Sequence, residues 1–318
     1  MSDPAVLARP AAAPCPLPPP APSFPVRWPR AYRSLAEALG PGSPLLRMGD
    51  LDPSEAAPDS GALADPVGEK GRSPLPFLLR KHPDRVVVLA ASRCFFYCRF
   101  CFRRGEDPRR RGRPGTEDWE RIFAWLGRHP EVEEVILSGG DPLTLPDRRL
   151  AQIGLRLADI PTVRRWRLHT RAPVVLPQRV TPGLVSALSR SPLPLRVVLH
   201  CNHPAEVWDP LLRAVETLQR AGIGVLSQSV LLAGVNDRPE TLAALFRALG
   251  GAGVRPHHLH HPDPSPGNAA FRLPLDRGLA IFRGLERRLG PEGSSLLPTY
   301  VLDRPDGSGK VPVAAVLR

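Results

Sequence analysis

The sequence predicts an α/β fold that is built on one parallel sheet and preceded by an N-terminal arm. Three observations predict it: six short apolar runs, six segments of helical periodicity between them, and capping residues where several of those segments begin. Strands and helices that alternate in this way form a parallel sheet with right-handed connections and helices on its outer face. We therefore expect a proline-rich tail at 1–25, a helical arm and linker at 26–76, the α/β body at 77–290 and a C-terminal segment at 291–318.

The tail and the arm differ in proline content. Seven prolines between positions 14 and 25 oppose helix formation, so the tail is predicted to be disordered or polyproline, and Cys15 within it is predicted to have no function. Residues 28–39 have the pattern of a short helix. Residues 40–76 are rich in Pro, Gly, Asp and Ser, and we expect them to be mainly linker.

The body is predicted to alternate strands and helices from residue 85 onward. The strands are expected at 85–90, 133–137, 166–169, 195–200, 224–230 and 256–260. The helices are expected at 116–128, 147–159, 182–190, 206–221, 238–250 and 276–289. Their starts are marked by Thr116 before Glu117 and Asp118, by Thr181 with Pro182, and by Asp237 with Glu240. In a barrel of such units, chemistry belongs at the carboxyl ends of the strands.

Composition narrows the classes of function. The chain has 318 residues, and 42% of them are hydrophobic. It has no apolar run of the roughly 18 residues that a membrane helix needs, and its N-terminus does not have the pattern of a signal sequence. We therefore expect a cytoplasmic protein. Its formal net charge of +12 comes from 43 basic residues, of which only Lys70, Lys81 and Lys310 are lysines. The arginines are scattered rather than gathered in one stripe, so we do not expect nucleic acid to be the partner.

The most informative stretch follows the first of these strands and holds Cys94, Cys98 and Cys101 in a C-x3-C-x2-C spacing. Thiolates suit iron–sulfur clusters and zinc, and a purely structural site of either kind normally takes four protein ligands. Three cysteines can hold a [4Fe–4S] cluster with one iron left open for a substrate or cofactor. The alternatives are a zinc site with a fourth ligand elsewhere and three buried thiols.

The residues around these cysteines resemble a known family. The segment YCRFCFRR at 97–104 is similar to that of the radical S-adenosylmethionine (SAM) superfamily and, within it, to that of the lysine 2,3-aminomutases, including the short enzymes that serve elongation factor P. The resemblance implies a partial (β/α)6 barrel of radical SAM type whose cluster loop follows the first strand. It also implies that Cys94, Cys98 and Cys101 bind a [4Fe–4S] cluster whose open iron binds SAM.

Further positions match motifs with which this family contacts SAM. Two adjacent glycines allow close backbone approach, and an aspartate after them can accept a hydrogen bond from an ammonium group. The segment TRAPVVLPQR at 170–179 is another match to the family. The residues that the resemblance assigns to SAM are Ser138, Gly139, Gly140, Asp141, His200 and Gln228.

A lysine near the C-terminus is predicted to be catalytic and to bind pyridoxal phosphate (PLP). Lys310 stands on a glycine-rich loop in a chain that uses arginine almost everywhere that charge alone is needed, and only a primary amine can form the Schiff base that anchors PLP. The resemblance places Lys310 at the PLP lysine, and Lys81, His82 and Arg85 at positions associated with the PLP phosphate. Relatives have an arginine and a tyrosine where Lys81 and His82 stand.

The resemblance also implies a substrate and a reaction. Arg103 matches the arginine that binds the substrate carboxylate, a task that suits a forked guanidinium. Asp263 and Asp303 match two aspartates that hold the side-chain ammonium of lysine, and paired carboxylates suit such a distal cation. The implied reaction converts L-lysine to β-lysine by 1,2-amino migration. It needs SAM, PLP and a one-electron donor such as flavodoxin or ferredoxin, and a homo-oligomer is a further expectation.

Four alternatives stay open on the sequence. The same chemistry could serve β-lysylation of elongation factor P, or act on another amino acid such as arginine, whose guanidinium could also meet two carboxylates. The alternatives from other classes are an RNA-modifying radical SAM enzyme and a non-catalytic iron–sulfur protein.

A histidine-rich run lies at 257–261, where four of five positions are histidine. Strand alternation predicts that His257 and His261 point to one face, and His258 and His260 to the other, so that at most two of them could meet at one ion. We therefore expect no dedicated metal site on this strand.

Overall fold

The fold is described by a computed structural model that covers residues 24–105 and 112–316. The predicted tail, except for its last two residues, lies outside the described residues, as do Cys15 and the basic run at 109–111. No helix in the described ranges is long and apolar enough to cross a membrane.

A curved sheet forms the centre of the fold, and its strands neighbour one another in sequence order. Strands β2 to β8 are parallel, and β1 and β9 pair antiparallel with the outermost two of these. Since β1 and β9 each pair with one neighbour, the sheet is a partial barrel, as expected. In the described residues the strands are β1 Leu78–Leu79, β2 Arg85–Ala91, β3 Glu134–Gly139, β4 Arg165–Thr170, β5 Leu195–His200, β6 Gly224–Val230, β7 Arg255–His260, β8 Thr299–Arg304 and β9 Gly309–Pro312.

The six predicted strands are confirmed as β2 to β7, whereas β1, β8 and β9 were not predicted. Strand β8 extends the parallel sheet by one member, and β9 returns along it with Lys310 opposite Asp303. The C-terminal segment therefore belongs to the barrel wall instead of lying beside it.

The helices begin and end close to the predicted positions. Those that follow β2 to β7 pack on the outer face of the sheet, and side chains such as Leu126, Leu137, Phe246 and Leu285 form one core there. In the described residues the helices are α1 Arg30–Ala38, α2 Pro44–Gly49, α3 Thr116–Gly127, α4 Asp147–Ala158, α5 Ala172–Val175, α6 Pro182–Leu188, α7 Asp209–Arg220, α8 Pro239–Gly251, α9 Leu275–Leu289 and α10 Val313–Val316.

The starts of α7, α8 and α9 differ from the prediction by one to three positions, and Gly115 instead of Thr116 is the N-cap of α3. The Thr181 cap of α6 is confirmed, since its hydroxyl accepts from the Leu184 amide at 3.0 Å. Asp237, however, accepts from the Gly234 amide at 3.1 Å and does not cap α8, which starts at Pro239 because proline is favoured at a first helical position. Helix α7 starts at Asp209 and not at 206, because the Glu206 carboxylate is used by the preceding short turn.

The predicted alternation of the histidine run is wrong at His257, because a β-bulge interrupts it there. Ser227 pairs with Pro256 and Gln228 pairs with His258, so His257 is an extra residue in β7. The bulge brings the His257 and His258 rings to a centroid distance of 3.8 Å, and His258 and His260 lie 5.6 Å apart. The three rings therefore form one row, although no three His, Cys, Asp or Glu side chains in the described residues are placed to hold a single metal ion.

The arm packs against the body, and the stretch predicted as mainly linker contains α2. Tyr32 in α1 and Leu45 and Met48 in α2 are fully buried. Phe96 of the cysteine loop packs at right angles on Trp28 and Tyr32, with centroid distances of 4.7 and 5.3 Å. The arm therefore covers one side of the cysteine loop.

Candidate active site

The three cysteines lie in the loop that follows β2, at the carboxyl end of the sheet. The Cys101 amide donates to the Cys98 carbonyl at 3.1 Å, which folds the loop into a turn. Burial raises the pKa of the Cys98 thiol to about 11, against the opposite effect of the neighbouring Arg171 guanidinium. Metal binding would replace that proton, since the thiolate is the ligand.

The arm holds this loop by backbone and side-chain contacts. The Tyr97 and Arg99 amides donate to the carbonyls of Arg27 and Met48, at 3.3 and 2.9 Å. The guanidinium groups of Arg99 and Arg104 both pair with the carboxylate of Glu55. A sequence pattern could not show these contacts, because they join segments that are about 45 residues or more apart.

Gly139 and Gly140 let the end of β3 approach the cysteine loop. Gly139 has φ +107°, and a Cβ there would lie 2.5 Å from the Ala91 carbonyl oxygen. A Cβ on Gly140 would lie 2.4 Å from the Arg93 carbonyl oxygen. Both distances are shorter than any real contact, so the close approach requires glycine, as the sequence suggested. Ser138, just before them, pairs with Leu89 of β2.

Asp141 is held entirely by the protein. One carboxylate oxygen accepts from the Leu143 amide (3.0 Å) and the Thr170 hydroxyl (2.7 Å). The other accepts from the amides of Arg171 (2.9 Å) and Ala172 (3.0 Å). A carboxylate has about four lone-pair sites, so the expectation that Asp141 accepts from an ammonium group of SAM is revised. Its observed role is to join the end of β3 to the end of β4.

His200 and Gln228 are brought together on neighbouring strands. Gln228 pairs with His200 of β5 on one side and with His258 of β7 on the other, so the three residues form a row. Burial lowers the pKa of His200 to about 3, and that of His258 to about 3 as well, so both rings are neutral at physiological pH. The buried ring nitrogens His169 Nε2, His200 Nε2 and His258 Nδ1 have no hydrogen-bond partner among the described residues.

Lys310 lies at the other side of the barrel end, paired with Asp303. Its Nζ is 3.1 Å from one Asp303 oxygen and 3.4 Å from the other. Lys81 Nζ lies 3.9 Å from the same carboxylate and also donates to the Val67 carbonyl. Burial, partly opposed by Asp303, lowers the pKa of Lys81. One carboxylate therefore faces two lysines.

Asp263 and His82 complete this region. Burial and then the nearby Asp303 raise the pKa of Asp263 to about 8. A Cβ on Gly309 would lie 3.1 Å from His82 Cε1, so His82 lies against the start of β9, next to Lys310. The structure thus brings together Lys81, His82, Asp263, Asp303 and Lys310, which lie up to 229 positions apart in sequence.

Arg103 is already bound to a carboxylate of the protein. Both of its terminal nitrogens donate to Glu69, which belongs to the arm. Glu69 lies near Val67, whose carbonyl accepts from Lys81, and Arg72, whose guanidinium reaches the Asp306 carbonyl at 3.4 Å. Residues 67–72, which we call the strap, therefore connect the Arg103 side of the site to the Lys310 side.

Arg85 lies near His82, since burial and then the Arg85 charge lower the pKa of His82. Arg85 is the first residue of β2 and pairs with Asp84 at 2.8 Å, at the amino end of the strand. The Lys310 charge acts on the same histidine, so His82 lies between Arg85 and Lys310.

Comparisons with known proteins agree with this arrangement. The family model of the Radical SAM superfamily matches residues 88–246, from within β2 to within α8. The L-lysine 2,3-aminomutase of Escherichia coli K12 is 38% identical over 262 residues, which cover 82% of this chain and 76% of that protein. The L-lysine 2,3-aminomutase of Acetoanaerobium sticklandii is 38% identical over 285 residues, which cover 89% and 67% of the two chains.

The chain belongs to the radical SAM superfamily and to its lysine 2,3-aminomutase family. A solved structure agrees in fold: SuiB of Streptococcus suis, crystallised with S-adenosylmethionine, has a TM-score of 0.52 at 15% identity and covers 69% of this chain and 50% of that one. Membership carries with it the [4Fe–4S] cluster and SAM of the superfamily and the PLP of the aminomutases, and it makes the protein an isomerase.

The residues of this radical SAM protein fit those groups. Three thiols on one loop suit the cluster, since thiolates are its ligands. The three buried ring nitrogens without a partner among the described residues can bind a polar molecule inside the barrel. Lys310 supplies a primary amine, and its neighbours Lys81 and His82 can contact an anionic group.

Sequence reasoning missed several residues that build this radical SAM site. Arg171 and Glu206 form a buried pair behind the cysteine loop, and Glu69 occupies Arg103. Arg171 lies within the matched segment 170–179, but a match does not show which atom a side chain touches. Glu69 lies in a stretch whose composition predicted only linker, and it carries no local signal.

Proposed function

We propose that this protein is an L-lysine 2,3-aminomutase, which converts L-lysine to β-lysine by moving the amino group from C2 to C3. The observation that carries the proposal is the Lys310–Asp303 pair, at 3.1 Å, on the same end of the sheet as the three cysteines. A PLP lysine, a carboxylate for a substrate cation and a cluster loop would then serve one cavity. SAM and PLP, when bound, supply a carbon radical and a ring that delocalises an unpaired electron.

Cys94, Cys98 and Cys101 are proposed to ligate the cluster, with SAM beside it. The backbone of 138–140 supports SAM, because the glycines allow close approach and the Asp141 oxygens are already used. His200 and Gln228 contact SAM from the next strands. The neutral His200 ring has an open nitrogen among the described residues, which suits a hydrogen bond to that molecule.

Lys310 is proposed to hold PLP, with Lys81, His82 and Arg85 around its phosphate. His82 lies against Gly309 and within range of the Arg85 charge, so the phosphate would lie beside His82. Lys81 would then leave its weak contact with Asp303, at 3.9 Å, for the phosphate. Two cations near one carboxylate favour such an exchange, because an entering anion relieves their repulsion.

Arg103 is proposed to bind the substrate carboxylate. Its support is the carboxylate that it holds already, since Glu69 engages both terminal nitrogens in the geometry that an amino-acid carboxylate would adopt. The substrate would take the place of Glu69. Displacement of Glu69 would also free the strap.

Asp263 and Asp303 are proposed to bind the side-chain ammonium of lysine. Asp303 already accepts a primary ammonium, that of Lys310. Because the pKa of Asp263 is about 8, that carboxyl is protonated at neutral pH when no substrate is bound. An entering ammonium would replace that proton, whereas the side chain of glutamate would add a third carboxylate.

The test is product analysis after anaerobic reconstitution with iron and sulfide. Lysine is incubated with the enzyme, SAM, PLP and dithionite, and the amino acids are separated by chromatography. We expect β-lysine to form with SAM and PLP both present and not with either omitted. Iron bound at about four per chain, with no β-lysine formed from lysine and no β-arginine formed from arginine, would reject the aminomutase proposal.

A one-electron donor such as flavodoxin or ferredoxin is proposed to reduce the cluster in a cytoplasmic setting. Its support is two exposed arginines at the cysteine loop, Arg27 and Arg93, which would complement an acidic donor. Salt-sensitive reduction by flavodoxin, weakened in Arg27→Glu, would support it. A homo-oligomer is also proposed, and light scattering would test it.

A further inference from the structure

Arg171 is a buried arginine directly behind the cysteine loop. It follows β4, its side chain is only 7% exposed, and its guanidinium lies between the rings of Phe96 and Phe100, with centroid distances of 4.8 and 5.4 Å. Both rings belong to the cysteine loop. Arginine stacks on aromatic faces without losing its charge, so the loop encloses a fixed cation.

One branch of this cation reaches a cysteine sulfur. The Nη1 group of Arg171 donates to Cys98 Sγ at 2.8 Å. Two arginines of the loop behave differently, since Arg99 and Arg104 direct their guanidinium groups to Glu55 and to backbone carbonyls.

The other branch is held by a buried carboxylate. Arg171 Nη2 donates to Glu206 at 2.7 Å, and the Tyr32 hydroxyl donates to the same oxygen at 2.7 Å. The second Glu206 oxygen accepts from the amides of Asn202 and His203, at 2.6 and 3.0 Å. The order Cys98, Arg171, Glu206, Tyr32 thus connects the cysteine loop to helix α1 of the arm.

We propose that Arg171 is a positioning residue that sets the reduction potential of the cluster through its hydrogen bond to Cys98, with Glu206 moderating its charge. The proposal rests on ligation of the cluster by the three cysteines. One-electron reduction adds negative charge, part of which resides on the sulfurs, and a cationic donor stabilises that charge. Arg171 therefore favours the reduced cluster, and the Glu206 carboxylate limits the effect.

The experiment measures the potential of the reconstituted cluster by redox titration with dithionite, followed by electron paramagnetic resonance without SAM or PLP. We expect Arg171→Met to lower the ratio of reduced to oxidised cluster at a fixed potential by tenfold or more. For one electron, a tenfold change corresponds to a midpoint potential that is about 59 mV lower. Arg171→Lys retains the cation, and we expect a ratio within about threefold of the wild type. Glu206→Gln removes the opposing charge, so we expect the ratio to rise.

The matched control is Arg167→Met. Arg167 lies on β4, four positions before Arg171, and is buried, but its contacts are with Glu134 and His257 instead of a cysteine. We expect its ratio to stay within about twofold of the wild type, because its charge is distant from the sulfur. An equal change of the ratio in Arg167→Met would overturn the proposal. An unchanged ratio in an Arg171→Met protein that binds the full amount of iron would also overturn it.

Arg171→Met could also fail to fold or to bind iron, and then Glu206→Gln and Tyr32→Phe decide. Both variants keep Arg171. A fall or no change in the ratio for Glu206→Gln would overturn the proposal. For Tyr32→Phe we expect a small fall, because the Glu206 carboxylate that loses this donor attracts Arg171 more strongly. The potential shift and the formation of β-lysine are separate readouts, so either proposal can fail alone.

Discussion

Two regions at the carboxyl end of the barrel hold buried ionic groups in different ways. Behind the cysteine loop, Arg171 and Glu206 are 7% and 0% exposed, and Glu206 accepts from four donors. On the opposite side, Lys310 is 38% exposed, and Asp303 is shared by two lysines at 3.1 and 3.9 Å. Partners in the first region have no room to exchange, whereas those in the second are loosely held. The Arg171–Glu206 region therefore supports the cysteine loop, whereas the ionic groups around Asp303 can exchange partners when a ligand binds.

The largest effect is expected at Lys310. Lys310→Arg and Lys310→Ala should each lower lysine turnover by on the order of a thousandfold or more, about 4 kcal/mol in activation free energy. Only the primary amine can bond to PLP, and Lys310→Arg is the matched control because it keeps a cation beside Asp303. Borohydride reduction followed by peptide mapping should place PLP on Lys310 and on neither Lys70 nor Lys81. Wild-type turnover in Lys310→Arg would remove this residue from catalysis.

Asp303→Asn should damage activity far more than stability. The substrate ammonium would be desolvated with one carboxylate too few, so kcat/KM for lysine should fall several hundred-fold, or about 3–5 kcal/mol. Asp263→Asn should act in the same direction, and both variants should retain iron and PLP. Steady-state kinetics with lysine and with glutamate provide the measurement. Efficient isomerisation of glutamate by the wild type would contradict the two-carboxylate assignment.

Glu206→Ala, in contrast to Asp303→Asn, should lower the stability of the fold. It leaves Arg171 buried without its counter-charge, which costs about 3–5 kcal/mol of unfolding free energy. Urea unfolding under anaerobic conditions measures this, with Asp303→Asn as the comparison from the exchangeable side. Equal losses of unfolding free energy in Glu206→Ala and Asp303→Asn would contradict the difference between the two regions.

The pH dependence of substrate binding should reveal the exchangeable side. With its pKa at about 8, Asp263 is protonated below that pH, and an ammonium must displace the proton. The KM for lysine should therefore fall as pH rises toward 8, by up to about tenfold per unit, and level off above it. The raised pKa also means that the folded state binds this proton more tightly than the unfolded state does. The free energy of unfolding should therefore fall as the pH rises from about 4 to 8. Asp263→Asn should abolish both trends.

The smallest effect is expected at Glu69. Glu69→Gln removes the charge that competes for Arg103, in an ion pair whose side chains are only 10% and 20% exposed, but keeps a polar side chain there. The KM for lysine should therefore fall by about fivefold, or about 1 kcal/mol. The kcat should stay unchanged because Glu69 leaves before the reaction. Glu131→Gln, which removes the surface partner of Arg80, is the matched control and should change neither constant. A raised KM in Glu69→Gln would show that Glu69 supports Arg103 instead of competing.

The sequence by itself determined the scaffold and the chemistry that it carries. Six strands and their helices follow from local periodicity, and the spacing of Cys94, Cys98 and Cys101 follows from ligand chemistry. Lys310 was identifiable because the chain has only three lysines. These signals are local or compositional, so they do not depend on how the chain packs.

The tertiary structure alone decided how the polar groups are used. Arg171 meets Cys98 across 73 positions and Tyr32 meets Glu206 across 174, and no periodic pattern encodes such pairs. The bulge at His257 reversed a prediction from strand alternation, because one extra residue changes the face of a side chain. The sequence did not show that four donors of the protein occupy the Asp141 carboxylate, because those hydrogen bonds form only in the packed fold. Hydrogen bonds depend on positions to within tenths of an ångström, and only the packed fold sets those positions.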